Sequence, residues 1–293
     1  MNLLLKIYKN HYKPLLLITV LLLIFAIGQI GYQTATTGDF IHKGVSLKGG
    51  FTVSVYPESQ IDLDNVVSLF KDNFPKEDLE IKKIQSSESP YAFIIETTLG
   101  SSQGDKIVSL LQEKFGNFDY STSYIGPALG ESFFQQAVKA LIFAFIAMAI
   151  VVFLYFKIPV PSFAVVLSAF TDIIVTLAVV NLLGIRISKA GMAAFLMLIG
   201  YSVDTDILLT TRVLKNRKKA IFGRVIDAMK TGLTMSFTTL ITVTLAYFLT
   251  NSLDIKQIML ILLIGLIVDL LSTWIQNAAI LRMYVEKNEK SKA

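Results

Sequence analysis

The chain of 293 residues has no cysteine and only two histidines, His11 and His42. Disulfides and thiolate metal sites are therefore excluded. Neither histidine falls in an apolar segment, so an intramembrane histidine metal site is excluded as well. Charge is scarce: 17% of residues are Asp, Glu, Lys or Arg, against about 25% in soluble domains. Within the long apolar segments, basic side chains are missing from the middle altogether.

What is abundant is apolar length. Hydrophobic residues make up 53% of the chain, and six stretches reach the roughly 20 residues that a membrane-crossing helix needs. They run approximately over Pro14–Gly31, Gln136–Phe156, Pro161–Leu183, Ala190–Thr211, Gly232–Leu249 and Gln257–Leu281. This predicts a membrane α-helical bundle of six transmembrane helices, with a polar insert at 32–132 between the first two spans. The expected division is an N-terminus 1–13, first span 14–31, insert 32–132, spans two to six over 133–281 and a tail 282–293. A cleaved signal peptide is the alternative for the first span, but its apolar run is longer than the usual 7–15 residues.

Orientation follows from Lys and Arg in the short flanks. The N-terminus, Lys157, the basic loop 212–230 and the tail hold fifteen of them, whereas the opposite short loops hold Arg186, Lys189 and Lys256. Both termini are therefore expected in the cytoplasm of a multi-pass plasma-membrane protein, with 32–132 extracytoplasmic. The Lys215–Lys219 run fits membrane lipids and topology better than nucleic acid.

The insert alternates as strands at Phe51–Tyr56, Leu79–Ile84, Tyr91–Thr97 and Phe118–Ile125. Helical spacing separates them at Ile61–Phe74 and Gln103–Phe115, and Ser86–Pro90 reads as a turn. The order β-α-β-β-α-β is the ferredoxin-like arrangement. The insert carries no phosphate loop and no catalytic cluster, so it reads as a docking or lever domain, with a passive spacer as the plain alternative.

Four aspartates, Asp172, Asp204, Asp206 and Asp269, lie inside the apolar segments. A carboxylate near the bilayer centre costs roughly 2.5–3.5 kcal/mol on insertion scales. With no cation in the same segments, these groups must be protonated, hydrated or met by another subunit. Asp204 and Asp206 are two residues apart, so they point about 200° apart around a helix. Asp204 shares a face with Gly200 and Leu208, whereas Asp206 continues a polar stripe with Ser202 and Thr210. Asp172 and Asp269 are candidates for a pair sharing a proton. In the fifth span, Thr234, Thr238 and Thr242 form a hydroxyl stripe suited to helix packing or to a file of water. Arg212 reads as an interfacial anchor or as a counter-ion reaching Asp206, and Trp274 as an interfacial aromatic.

The run Gly200-Tyr-Ser-Val-Asp-Thr-Asp, continuing to Thr211-Arg212, resembles the fourth-span signature of the SecF family. SecF is the smaller half of the SecD–SecF protein-export complex, in the resistance–nodulation–division superfamily. Gly44-Val-Ser-Leu-Lys-Gly49-Gly50 resembles that family's Gly-x-Asp-Phe-x-Gly-Gly element, with Ser46 in place of the Asp. The entry to span five, Thr231 to Ser236, also fits. The common bacterial form of the first motif is Gly-Tyr-Ser-x-Asn-Asp-Thr. Here Asp204 falls on the Asn, Thr205 on the acid and Asp206 on the Thr, in the manner of archaeal members.

The resemblance implies assistance to exported polypeptides at a SecY-type translocon, with SecD as partner, no cofactor, no enzymatic activity and coupling to proton flow. The residues themselves keep other readings open. A non-coupled assembly factor of the translocase needs no titrating aspartate. An exporter of small or lipidic molecules would need a homodimer. An intramembrane aspartyl protease would need a Gly-x-Gly-Asp element, which Gly265-Leu-Ile-Val-Asp269 does not match.

Overall fold

In the computed structural model of the chain, residues 8–75, 77–84, 89–215 and 219–291 are described. The expected turn at Ser86–Pro90 and the basic run Lys215–Lys219 both fall partly outside them. Six helices long and apolar enough to cross a membrane surround a common centre, and a four-stranded antiparallel sheet stands at one end.

Helix α1 (Tyr12–Thr37) leads to a single-turn helix α2 (Val45–Lys48) and into the insert: β1 (Gly50–Tyr56), α3 (Leu63–Asn73), β2 (Leu79–Lys83), β3 (Phe93–Thr97), α4 (Ser101–Phe115) and β4 (Asp119–Ile125). The sheet order is β2-β3-β1-β4. Val53 pairs with Ile95 on one side and Thr122 on the other. Alternation along β1 and β3 turns Phe51, Val53, Val55, Phe93 and Ile95 onto one face, where Val66, Phe70, Ile107 and Leu111 of α3 and α4 cover them. Gly104 lets α4 approach, because a Cβ there would overlap the Phe51 ring.

The remaining helices are α5 (Pro127–Phe156), α6 (Pro159–Leu182), α7 (Lys189–Lys215), α8 (Ile221–Leu249) and α9 (Leu253–Leu271). A π-helical turn at Ser272–Asn277 joins α9 to α10 (Ala278–Lys290). Lys157 takes a left-handed conformation (φ 55°) between α5 and α6, and Pro159 and Pro161 open the next helix. The stretch 212–230, expected as a loop, is largely helical. α7 continues to Lys215 and α8 starts at Ile221, because its buried Val213, Val225 and Ala228 pack on Leu281.

α6, α7 and α9 form the centre, half or more buried across their apolar windows, whereas less than a fifth of the α1, α5 and α8 windows is buried. Leu198, Ile261, Leu262 and Val180 fill the bundle near the insert. Leu209, Val213, Trp274 and Leu281 fill the far end. Between these two apolar zones lies a polar layer.

The insert is fixed at its base by backbone. Gly44 N–H donates to Ile187 O (2.9 Å) and Ile187 N–H to His42 O (2.7 Å). Gly49 (φ 86°) and Gly50 (φ 145°) take conformations that other residues rarely adopt, and a Cβ on Gly49 would lie 2.6 Å from Pro127 Cα. The three glycines of the early motif thus mark where sheet, α5 and the α6–α7 connection converge.

Candidate functional site: a polar layer within the bundle

Three helices supply the layer. α6 brings Ser168, Thr171 and Asp172, and α7 brings Ser202, Thr205, Asp206 and Thr210. α9 and its π turn bring Asp269, Ser272, Thr273, Gln276 and Asn277. None is more than 5% exposed. The α7 residues arise from the spacing that the sequence displays. Those of α9 follow Asp269 at i+3, i+4, i+7 and i+8, a one-face pattern.

Each aspartate meets hydroxyls or an amide. Ser202 and Ser272 donate to the two oxygens of Asp172. Thr273 donates to Asp269 Oδ1 (3.0 Å). Thr205 Oγ1 lies 3.2 Å from Asp269 Oδ2 and 2.9 Å from Ser202 O, and its single proton serves one of them at a time. Asn277 Nδ2 donates to Asp206 Oδ1 (2.7 Å), and Gln276 Nε2 to Thr171 Oγ1 (3.0 Å). Asp172 and Asp269 therefore share a network through Ser202 and Thr205.

No ion pair among the described residues involves these aspartates. Three buried carboxyls without a cation cannot all carry charge cheaply, since an uncompensated buried charge costs several kcal/mol. The layer is suited to exchanging protons or to holding a small cation.

Other residues singled out in the sequence lie elsewhere. Asp204 is exposed, on an outward stripe of α7 with Met197 and Gly200. A Cβ on Gly200 would meet nothing within 4 Å. Arg212 is also exposed and forms no ion pair among the described residues, so the contact with Asp206 is not made: the two lie on different faces of α7. Thr234, Thr238 and Thr242 face outward, each bonded to the carbonyl four residues back at 2.9, 3.0 and 2.9 Å. They line no passage within this bundle. Trp274 is corrected too. It is 4% exposed, and its ring fills the space over Gly232 of α8.

The basic residues that matter to packing are Arg224 and Arg282. Arg224 caps carbonyls of Lys219 (2.7 Å) and Val213 (3.3 Å) and reaches Glu289 (3.2 Å). Arg282 donates to the carbonyls of Tyr8 (3.1 Å) and Lys9 (2.9 Å) and stacks 3.8 Å from the Tyr12 ring centre. Tyr8 in turn donates to Trp274 O (2.6 Å), inside the π turn. Burial raises the Tyr8 phenol above its ordinary range, so it stays a neutral donor.

A family model, "Protein export membrane protein SecD/SecF, C-terminal", matches residues 107–287. The chain belongs to the SecD/SecF family. The protein-export membrane protein SecF of Methanocaldococcus jannaschii is 37% identical over 297 residues, covering 97% of this chain and 99% of that one. SecF of Pyrococcus furiosus is 37% identical over 253 residues, covering 86% and 84%. A crystal structure of SecDF, a translocon-associated membrane protein from Thermus thermophilus, superposes with TM-score 0.71 at 20% identity, over 95% of this chain. This chain spans 38% of that longer SecDF chain. The SecD/SecF fold of a multi-pass membrane protein is thus shared across the bundle and the sheet.

Proposed function

We propose that the chain is the SecF-type half of a SecD–SecF complex that assists polypeptide translocation through a SecY-type channel, drawing on ion flow. The observation that carries the coupling is the layer of Asp172, Asp206 and Asp269 at 0% exposure, with no ion pair to them among the described residues. Protonation or ion binding there would alter hydrogen bonds between α6, α7 and α9 and bias two arrangements of the helices. The names of the archaeal relatives support the export role. The longer SecDF chain supports SecD as the partner.

Asp204 and Gly200 on α7 and Thr234, Thr238 and Thr242 on α8 all face outward, and SecD would seat over Asp204, since a carboxylate facing lipid is costly. Both termini are cytoplasmic in this reading, and the insert is an extracytoplasmic ferredoxin-like domain, which the order β2-β3-β1-β4 supports. Its base, fixed at Gly44 and Ile187, would let it act as a lever on an emerging polypeptide. No catalytic role is assigned.

A second reading has its own observation. The position of the usual bacterial acid is held by Thr205, which does not titrate and whose hydroxyl lies 3.2 Å from Asp269 Oδ2. On that reading the chain is a non-coupled assembly factor for SecD. The test is export of a reporter protein in cells carrying Asp204→Asn or Asp206→Asn, with SecD co-purification measured in each. Loss of export with the complex intact supports coupling. Normal export by both variants removes it in favour of the assembly factor.

A further inference from the structure

At the lysine-rich end of the bundle, α7, α8, α10 and the α5–α6 turn enclose a cavity of about 380 Å³. That lies within the range of roughly 300–1,000 Å³ that small-ligand sites occupy. Its lining is divided. Ile158, Val213, Leu214 and Val285 form an apolar side, and Arg224, Tyr284, Asn288 and Glu289 a polar one. Tyr284 and Asn288 share a face of α10 at a spacing of four. Arg282 and Glu286 of the same helix turn instead to the N-terminal segment.

Arg224 is the decisive group. It is 5% exposed, and its guanidinium carries five N–H donors and cannot give up its charge. Nε donates to Lys219 O, Nη1 to Val213 O and Nη2 to Glu289 Oε1. One N–H on each terminal nitrogen is left without a partner among the described residues. The two carbonyls cancel no charge, and the side chain of Glu289 is 54% exposed. A buried cation so weakly neutralised favours an anion, and the terminal nitrogens of a guanidinium grip phosphate oxygens as a fork. The surroundings agree in sign. Exposed Lys157, Lys215, Lys287 and Lys290 each adjoin a lining residue in the sequence, whereas Glu289 is the one acid in the lining among the described residues.

We infer that this cavity binds a phosphate group. Arg224 holds it, the Tyr284 hydroxyl and the Asn288 amide add donors, and Glu289 is the carboxylate that it displaces. The cavity lies where α5 ends at Phe156 and α6 starts at Pro159, the level at which hydrocarbon gives way to headgroups. A phospholipid headgroup and a soluble phosphoester both bring this chemistry there, and the apolar side of the lining suits the glycerol of a lipid. The site stands or falls independently of the ion-coupling reading.

The test is native mass spectrometry of the purified chain in detergent, with phosphatidylglycerol or phosphatidylcholine added and inorganic phosphate as competitor. Wild type is expected to retain phosphatidylglycerol in preference to phosphatidylcholine, and Arg224→Gln to lose that preference. Arg224 also ties the end of α7 to Lys219, so a second variant leaves it untouched. Tyr284→Phe combined with Asn288→Leu should bind phosphatidylglycerol about tenfold more weakly, the equivalent of one charge-assisted hydrogen bond. Glu289→Gln should bind it more tightly, because no carboxylate competes for the guanidinium. Equal retention by wild type and the double variant overturns the site, and so does weaker retention by Glu289→Gln. Displacement of the lipid by millimolar inorganic phosphate upholds the site and assigns it to a soluble phosphoester. Retention of phosphatidylglycerol against that phosphate upholds it as a lipid headgroup site.

Discussion

Asp204 and Asp206 stand two residues apart on α7, and the bundle treats them in opposite ways. Asp206 is wholly enclosed, bonded to Asn277 and level with two other carboxyls. Asp204 looks outward beside a glycine whose surroundings are open. The inner face is completed by this chain alone and the outer face is not. The same residue type thus serves an internal network on one side and, on the other, an exposed face of the helix. Threonine shows the same division. Thr205 and Thr210 are buried in the layer, whereas Thr234, Thr238 and Thr242 satisfy themselves on their own helix and project outward.

The comparison breaks most severely at Ser202. Ser202→Leu would overfill a fully buried position and strip Asp172 of a donor. Each effect costs about 1–3 kcal/mol, so a large drop in the thermal midpoint of the detergent-solubilised chain is expected. Gly200→Leu, two residues away on the outer face, should leave that midpoint nearly unchanged and instead reduce SecD co-purification. Equal loss of stability in both variants would erase the distinction between the faces.

Asn277→Leu comes next. It removes the amide that donates to Asp206 Oδ1 and should destabilise the chain by about 1–3 kcal/mol, read as a lower urea midpoint. Tyr8→Phe removes one hydroxyl from the Trp274 carbonyl while keeping the ring, for about 0.5–1.5 kcal/mol. Since Trp274 is the single tryptophan of the chain, its fluorescence should report the loosened π turn directly. The smallest effect belongs to Thr238→Val, within about 0.5 kcal/mol in the isolated chain. A larger loss would mean that its back-bonding does more than satisfy a hydroxyl.

Much of this was legible in the sequence. The six apolar runs, the strand alternation around Val53 and the opposed directions of Asp204 and Asp206 are periodicities, and periodicity survives without coordinates. The partners on α9 were missed, although Ser272, Thr273, Gln276 and Asn277 repeat at one-face spacing from Asp269. They sit in a segment otherwise read only for hydrophobicity. Ser168 was missed one turn from Asp172 for the same reason. Trp274 was misplaced, and of the two readings of Arg212 only the contact with Asp206 fails, because an end-of-span position does not say which neighbour lies opposite. Gly232 creates the slot for Trp274, and nothing in the spacing pairs those two residues. The anchoring of Tyr8 by Arg282 joins the two ends of the chain, beyond the reach of any local pattern.

Helix α5 runs unbroken for 30 residues from Pro127 to Phe156, entered directly from β4 through Gly126. At 1.5 Å per residue it is a rod about 45 Å long. A tilt of roughly 5° about its far end would carry the base of the sheet about 4 Å sideways, close to the ~3.3 Å that one residue of extended chain occupies. Because Gly44 and Ile187 tie the base of the sheet to the α6–α7 connection, such a tilt would have to carry that connection along with it.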